Sequence, residues 1–179
     1  ITAVDTNALL ALLYEDEYTD KSEAELRRAY QEGRVVITPV VYAELAADGH
    51  FGTASELDQF LSDFSIQFVE PSREALFQAG EQFQRYTLRR PDGLQCPSCG
   101  TKQIVHCREC SADLTPSQHI AADFAIGGHA TADGDALVSF DDAFYGTYFP
   151  ELTDSERKPR HSGLSLTHKS QANFQQCFR

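Results

Sequence analysis

The sequence predicts an α/β domain built on a short parallel sheet. Three observations carry that prediction. Short β-branched runs alternate with longer segments of helical period. Acidic residues recur just past the ends of those runs, where an open parallel sheet presents its ligand crevice. The 179 residues, 41% of them hydrophobic, are enough for one domain with a real core and a small appendage.

Thr2 to Val4 is the first strand, and it runs into an apolar helix beginning near Ala8, with Asp5, Thr6 and Asn7 at the turn. A carboxylate at that point is placed for chemistry, yet Asp, Thr and Asn are also preferred helix caps, and both readings stand. Tyr18 to Glu32 spaces Ala24, Leu26, Ala29 and Tyr30 for a half-buried helix that Gly33 stops. Arg34 to Thr38 supplies a second strand. Pro39 then opens a helix to Ala47, in the position where a missing N–H costs nothing. Glu44 stands among Val40, Val41, Leu45 and Ala46, either as an ordinary exposed carboxylate or as a functional one. Ser55 to Phe64 and Ser72 to Leu88 read as helices around a strand at Ser65 to Val69.

The rhythm breaks over residues 91–115 before Pro116 starts a new helix. That helix, Ser117 to Ala130, offers Ile120, Ala121, Phe124, Ala125 and Gly128 for packing, with Asp123 among them. A carboxylate inside an apolar helix is costly unless paired or metal-bound. Ala136 to Ser139 is the fourth strand, with Asp141 and Asp142 just beyond it, and Phe144 to Phe149 is a short aromatic helix or turn. Residues 1–152 thus form the domain, interrupted by 91–115, and 153–179 are expected to be a flexible basic tail.

The formal charge of −12 excludes a surface that grips nucleic acid everywhere, but not a nuclease whose metal site is itself built from carboxylates. Residues 153–179 hold five Lys or Arg against two acids, leaving ten against twenty-five, a balance of −15, for the rest. No apolar run reaches the length of a membrane span, and the first residues lack a signal-peptide layout. A soluble, cytoplasmic protein without membrane contact is expected, and the opening Ile1 predicts a processed or trimmed start.

The order of strands and helices can bring Asp5, Glu44, Asp123 and Asp141 to one end of a parallel sheet. Carboxylates so close repel each other unless a divalent cation neutralises them, and Mg²⁺ or Mn²⁺ prefers hard oxygen ligands. Such an ion activates water and steadies a leaving oxygen, which points to phosphodiester hydrolysis. Asp135 and Asp142 are either further ligands or caps. His119, one turn before Asp123, is either a general base or a plain hydrogen-bonding histidine.

In four segments the chain resembles the PIN-domain nucleases, especially the toxin ribonucleases of VapBC type: Val4-Asp-Thr-Asn7, Thr38-Pro-Val-Val-Tyr-Ala-Glu-Leu45, His119-Ile-Ala-Ala-Asp-Phe-Ala-Ile126 and Leu137-Val-Ser-Phe-Asp-Asp-Ala-Phe-Tyr145. The resemblance spans residues 1 to about 150. It implies a three-layer α/β/α fold with a parallel sheet of four or five strands. It implies that Asp5, Glu44, Asp123 and Asp141 bind Mg²⁺ or Mn²⁺ for endonucleolytic cleavage of RNA, with Thr6, Asn7 and Ser139 supporting them. An antitoxin partner and a homodimer are implied as well. The family's usual closing strand has a poor match in Thr153 to Arg160.

The cysteines are a separate signal. Cys96-Pro-Ser-Cys99 and Cys107-Arg-Glu-Cys110, seven residues apart, give four thiolates in two turns, the ligand set of a structural Zn²⁺ in a very small ribbon. A cytosolic chain favours zinc over disulfides. His106 is a substitute ligand that a full set of four makes unnecessary, and Cys177 reads as a free thiol. Two functions compete: a metal-dependent ribonuclease, and a non-catalytic zinc-ribbon adaptor for RNA or protein with vestigial acids. A phosphatase using Asp5 as nucleophile wants an acid two residues on, where Asn7 stands.

Overall fold

The computed structural model describes residues 1–89, 93–96, 98–99, 101–114 and 121–152. In chain order its elements are β1 (Thr2–Val4), α1 (Thr6–Tyr14), α2 (Thr19–Glu32), β2 (Val35–Ile37), α3 (Pro39–Asp48), α4 (Ala54–Asp63), β3 (Gln67–Phe68) and α5 (Arg73–Arg89). A hairpin of β4 (Leu94–Gln95) and β5 (Lys102–Gln103) follows, then α6 (Ala122–Ala132), β6 (Ala136–Val138), α7 (Asp142–Tyr148) and a 3₁₀ turn, Pro150–Leu152. The main sheet has four strands in the order β3-β2-β1-β6, all parallel, as the βα rhythm predicts.

Both faces of this sheet are covered, which is why its strands are almost continuously apolar. Successive side chains alternate between the faces. Ala3 and Val36 pack with Ala130 of α6. Val4, Val35, Ile37 and Val138 join a larger cluster that includes Leu9 of α1 and Leu26 of α2. The parallel register sets Thr2 beside Val35 and Ala136, and Val4 beside Val138, so the carboxyl ends of β1 and β6 emerge together.

The elements differ from expectation mainly at their ends. Helix α1 starts at Thr6 rather than near Ala8, because Asp5 is its cap. Strand β3 shrinks to two exposed residues: Ser65 takes a left-handed backbone (φ 54°) and Ile66 N–H bonds back to Leu61 at 2.8 Å, so the end of α4 consumes the strand's first residues. The described part of α6 begins at Ala122. Its expected start at Pro116, with His119, lies outside the described residues, as do 153–179 with His161, His168 and Cys177. Among the described residues no helix is long and apolar enough to cross a membrane.

Two short hairpin turns carry the cysteines. Leu94 pairs with Gln103 and Gln95 with Lys102, and Cys96 N–H closes the turn onto Thr101 at 2.9 Å. Gly93 is required beside it: its φ is 99°, and a Cβ there would lie 2.6 Å from the Gln103 carbonyl oxygen. In the second turn His106 bridges Asp113, Cys107 N–H bonds Ala112 at 2.8 Å and Leu114 N–H bonds Val105 at 2.7 Å.

Candidate active site

Asp5 and Ser139 follow paired strands and meet although 134 residues separate them. Asp5 is 4% exposed, and its Oδ1 accepts from Thr6 N–H at 2.7 Å, so the capping reading is correct as far as it goes. Its Oδ2 faces the other way. It accepts from Ser139 Oγ at 2.7 Å, Asn7 Nδ2 at 3.0 Å and Tyr145 Oη at 3.2 Å. Asn7 ties the strand ends further, donating to Ser139 Oγ at 3.2 Å and accepting from Phe140 N–H at 3.2 Å. The Thr6 hydroxyl donates to Glu44, which joins the first turn of α1 to α3. Asp141 caps α7 by accepting from Phe144 N–H at 3.0 Å, and its own N–H donates to Ser139 Oγ at 3.2 Å.

The charges of this group act on one another. Burial raises the Asp5 carboxyl; the bonds from Ser139, Thr6 and Tyr145 oppose that rise, and Asp141 adds to it. Asp123, in the first turn of α6, is pushed up to about 6, first by burial and then by Asp5, Glu44 and Asp141. Burial, followed by the charges of Asp5 and Asp123, also keeps the Tyr145 phenol protonated as a donor. Among the described residues none of the four acids has an ion-pair partner. The cluster is open: among the described residues no three His, Cys, Asp or Glu side chains are gathered closely enough to hold an ion. Its donor set nonetheless fits a hard divalent cation, being carboxylate oxygens, partly buried, with uncompensated negative charge.

Asp135 is a different matter. It precedes β6, at the opposite end of the sheet, where it accepts from the Ile1 ammonium at 2.6 Å. Asp142 is the exposed first residue of α7.

Each cysteine pair is tight. Cys99 Sγ lies 3.3 Å from Thr101 Oγ1; the bonds of that hydroxyl, the Thr101 backbone and the Cys96 thiol hold the Cys99 thiol low. The backbone N–H groups of Cys110 and Glu109, then the Cys110 thiol, hold Cys107 low. Amides turned onto a sulfur favour the thiolate, the form that binds metal. All four cysteines are free of disulfides. The two pairs are not drawn together into one four-sulfur group. His106 is engaged with Asp113 at 2.7 Å.

The sequence matches the family described as PIN domain over residues 2–150. This chain belongs to the PIN domain family. Its fold is similar to that of VapBC2 from Rickettsia felis, solved bound to a DNA fragment from their promoter. The two are 18% identical over 83% of this chain and 92% of that one, with a TM-score of 0.53. At that identity the likeness is one of fold. No curated protein matches the chain by sequence.

One residue that bonds Asp5 escapes a reading of the sequence. Tyr145 looks like one more aromatic of the α7 core, yet its hydroxyl reaches Asp5. The available signal is its spacing, one helical turn after Asp141. Thr38 follows β2 as Asp5 follows β1; it is buried, and its hydroxyl has no partner among the described residues and does not cap α3.

Proposed function

We propose that this PIN domain is a divalent-metal-dependent endoribonuclease that hydrolyses RNA phosphodiesters in the cytoplasm. In this reading Asp5, Glu44, Asp123 and Asp141 hold Mg²⁺ or Mn²⁺. When bound, the ion supplies an activated water and charge stabilisation for the leaving oxygen. Thr6 orients Glu44, while Asn7, Ser139 and Tyr145 orient Asp5. The observation that carries the reading is Asp123. Its carboxyl, raised to about 6 first by burial and then by Asp5, Glu44 and Asp141, stands where four acids face one another without an ion-pair partner among the described residues, a crowding of like charge that a divalent ion would relieve. An adaptor with vestigial acids leaves that arrangement without a purpose.

The fold shared with VapBC2 supports a toxin of a toxin–antitoxin pair, and an RNA-processing nuclease is the neighbouring possibility within the same chemistry. The two cysteine turns support a structural Zn²⁺ held by Cys96, Cys99, Cys107 and Cys110.

Asp5→Asn tests the ribonuclease reading, because it removes ligand charge while keeping the shape of a buried cap. The expected outcome is an unchanged circular dichroism spectrum with loss of Mg²⁺- or Mn²⁺-dependent RNA cleavage. Cleavage at the wild-type rate by a folded Asp5→Asn protein removes Asp5 from the mechanism.

A further inference from the structure

We propose that Tyr18 and Phe140, with Lys21 beside them, form a stacking platform for one base of single-stranded RNA at the rim of the acid cluster. The proposal rests on the nuclease reading above and states how the substrate is held. Phe140 stands in the chain between Ser139, which bonds Asp5, and Asp141, and its N–H donates to Asn7 at 3.2 Å. Its ring is therefore fixed to the same frame as the acids. Tyr18, which precedes α2, stacks on that ring with centroids 5.1 Å apart and planes 21° from parallel. Tyr18 is 44% exposed, so a half-wet aromatic surface is buttressed from below beside the cluster.

Lys21 supplies the charge. Its Nζ lies 4.9 Å from the centroid of the Phe140 ring, and among the described residues it has no carboxylate partner. In a chain of net charge −12, a cation held over a ring instead of an acid stays available for a phosphate. Aromatic rings with a neighbouring cation are what single-strand sites use: the ring takes any base face and the cation follows the backbone. A duplex hides those base faces, so the strand is unpaired where it meets Tyr18. Because Phe140 adjoins Asp141, the stacked base belongs to a nucleotide flanking the phosphate at the acids.

Binding is measured in the Asp5→Asn background with Mg²⁺, using a labelled single-stranded RNA that the wild-type chain cleaves. Tyr18→Ala is expected to weaken binding about tenfold, the loss of one base–aromatic stack, and Tyr18→Phe to restore it. An abasic nucleotide beside the cleavage position should cost the same factor and leave nothing further for Tyr18→Ala to remove. Lys21→Gln should flatten the salt dependence. Unchanged RNA affinity in Tyr18→Ala, with wild-type cleavage demonstrated, overturns the platform and leaves the nuclease reading standing. Unchanged RNA affinity with weakened association to a protein partner makes the surface a protein interface and also overturns it. A chain that neither binds nor cleaves RNA with either ion ends the nuclease reading, and this proposal with it.

Discussion

Asp5 answers two demands with two oxygens: Oδ1 closes the first turn of α1, and Oδ2 collects three side-chain donors. That division explains why cap and site readings of one residue are compatible. Asp123 differs, since nothing offsets its burial. Its carboxyl is raised, so the stability it contributes when protonated is complete below its unfolded value of 3.8 and is lost as pH rises through about 6. In metal-free protein Asp123→Asn should therefore stabilise the fold at pH 7.5, by about 1 to 2 kcal/mol after discounting for solvent screening of a half-buried group. At pH 5, where the native carboxyl is mostly protonated but the unfolded one is not, the gain should fall to about half, and it should vanish only below 3.8. Added Mn²⁺ should raise the melting temperature of the wild type at pH 7.5 far more than that of the variant. Equal melting temperatures of the two metal-free proteins at pH 7.5 contradict the argument. The positions of Asp5, Asn7 and Ser139 were legible because strand ends in a parallel sheet are forced together. Tyr145 was not, since its one signal, a helical turn's spacing from Asp141, does not distinguish a hydroxyl that reaches Asp5 from one more core aromatic.

At the scale of elements, the packing of α5 on α6 depends on small residues at their contact. A Cβ on Gly128 would lie 2.4 Å from the Ala75 carbonyl oxygen and 3.0 Å from Ala79, so the helices approach as they do only because that position is bare. Gly128→Ala should cost about 1 to 3 kcal/mol, overpacking outweighing the better helix propensity of alanine. Gly80, on α5, has nothing within 4 Å of such a Cβ. There the same substitution should stabilise by about 0.5 to 1 kcal/mol. Urea titration of both variants reads the contrast, and two shifts of the same sign contradict the packing account. The periodicity that marks a buried helix was legible here, but which glycine touches a neighbouring backbone depends on a partner helix about 50 residues away in the chain. The same limit explains β3. Alternation in Ser65 to Val69 reads as five strand residues, while the end of α4 leaves Gln67 and Phe68.

At the scale of the molecule, the described cysteine turns stand outside the hydrophobic clusters of the PIN core: no described residue of 93–114 belongs to either. Ile104, Val105 and Leu114 are exposed, and β4 with β5 is only a two-residue ladder, below what holds a hairpin in water. Something other than a core must fix these turns, and two thiol pairs, in which Cys99 and Cys107 are shifted toward the thiolate, offer the means. In the proposed site four cysteine ligands would saturate Zn²⁺ and leave no position for water, so such an ion would serve structure rather than catalysis. Protein purified without added metal should carry about one zinc per chain, as a single four-thiolate site requires. A Cys96→Ser, Cys99→Ser variant should lose it. Because the clusters around the sheet contain nothing from this segment, the helical circular dichroism and the urea midpoint should barely change. RNA cleavage should fall, since the segment joins α5 to the helix that carries Asp123. Retention of zinc by the variant removes these cysteines as ligands, and loss of the whole fold with the metal contradicts the independence of the core from the turns.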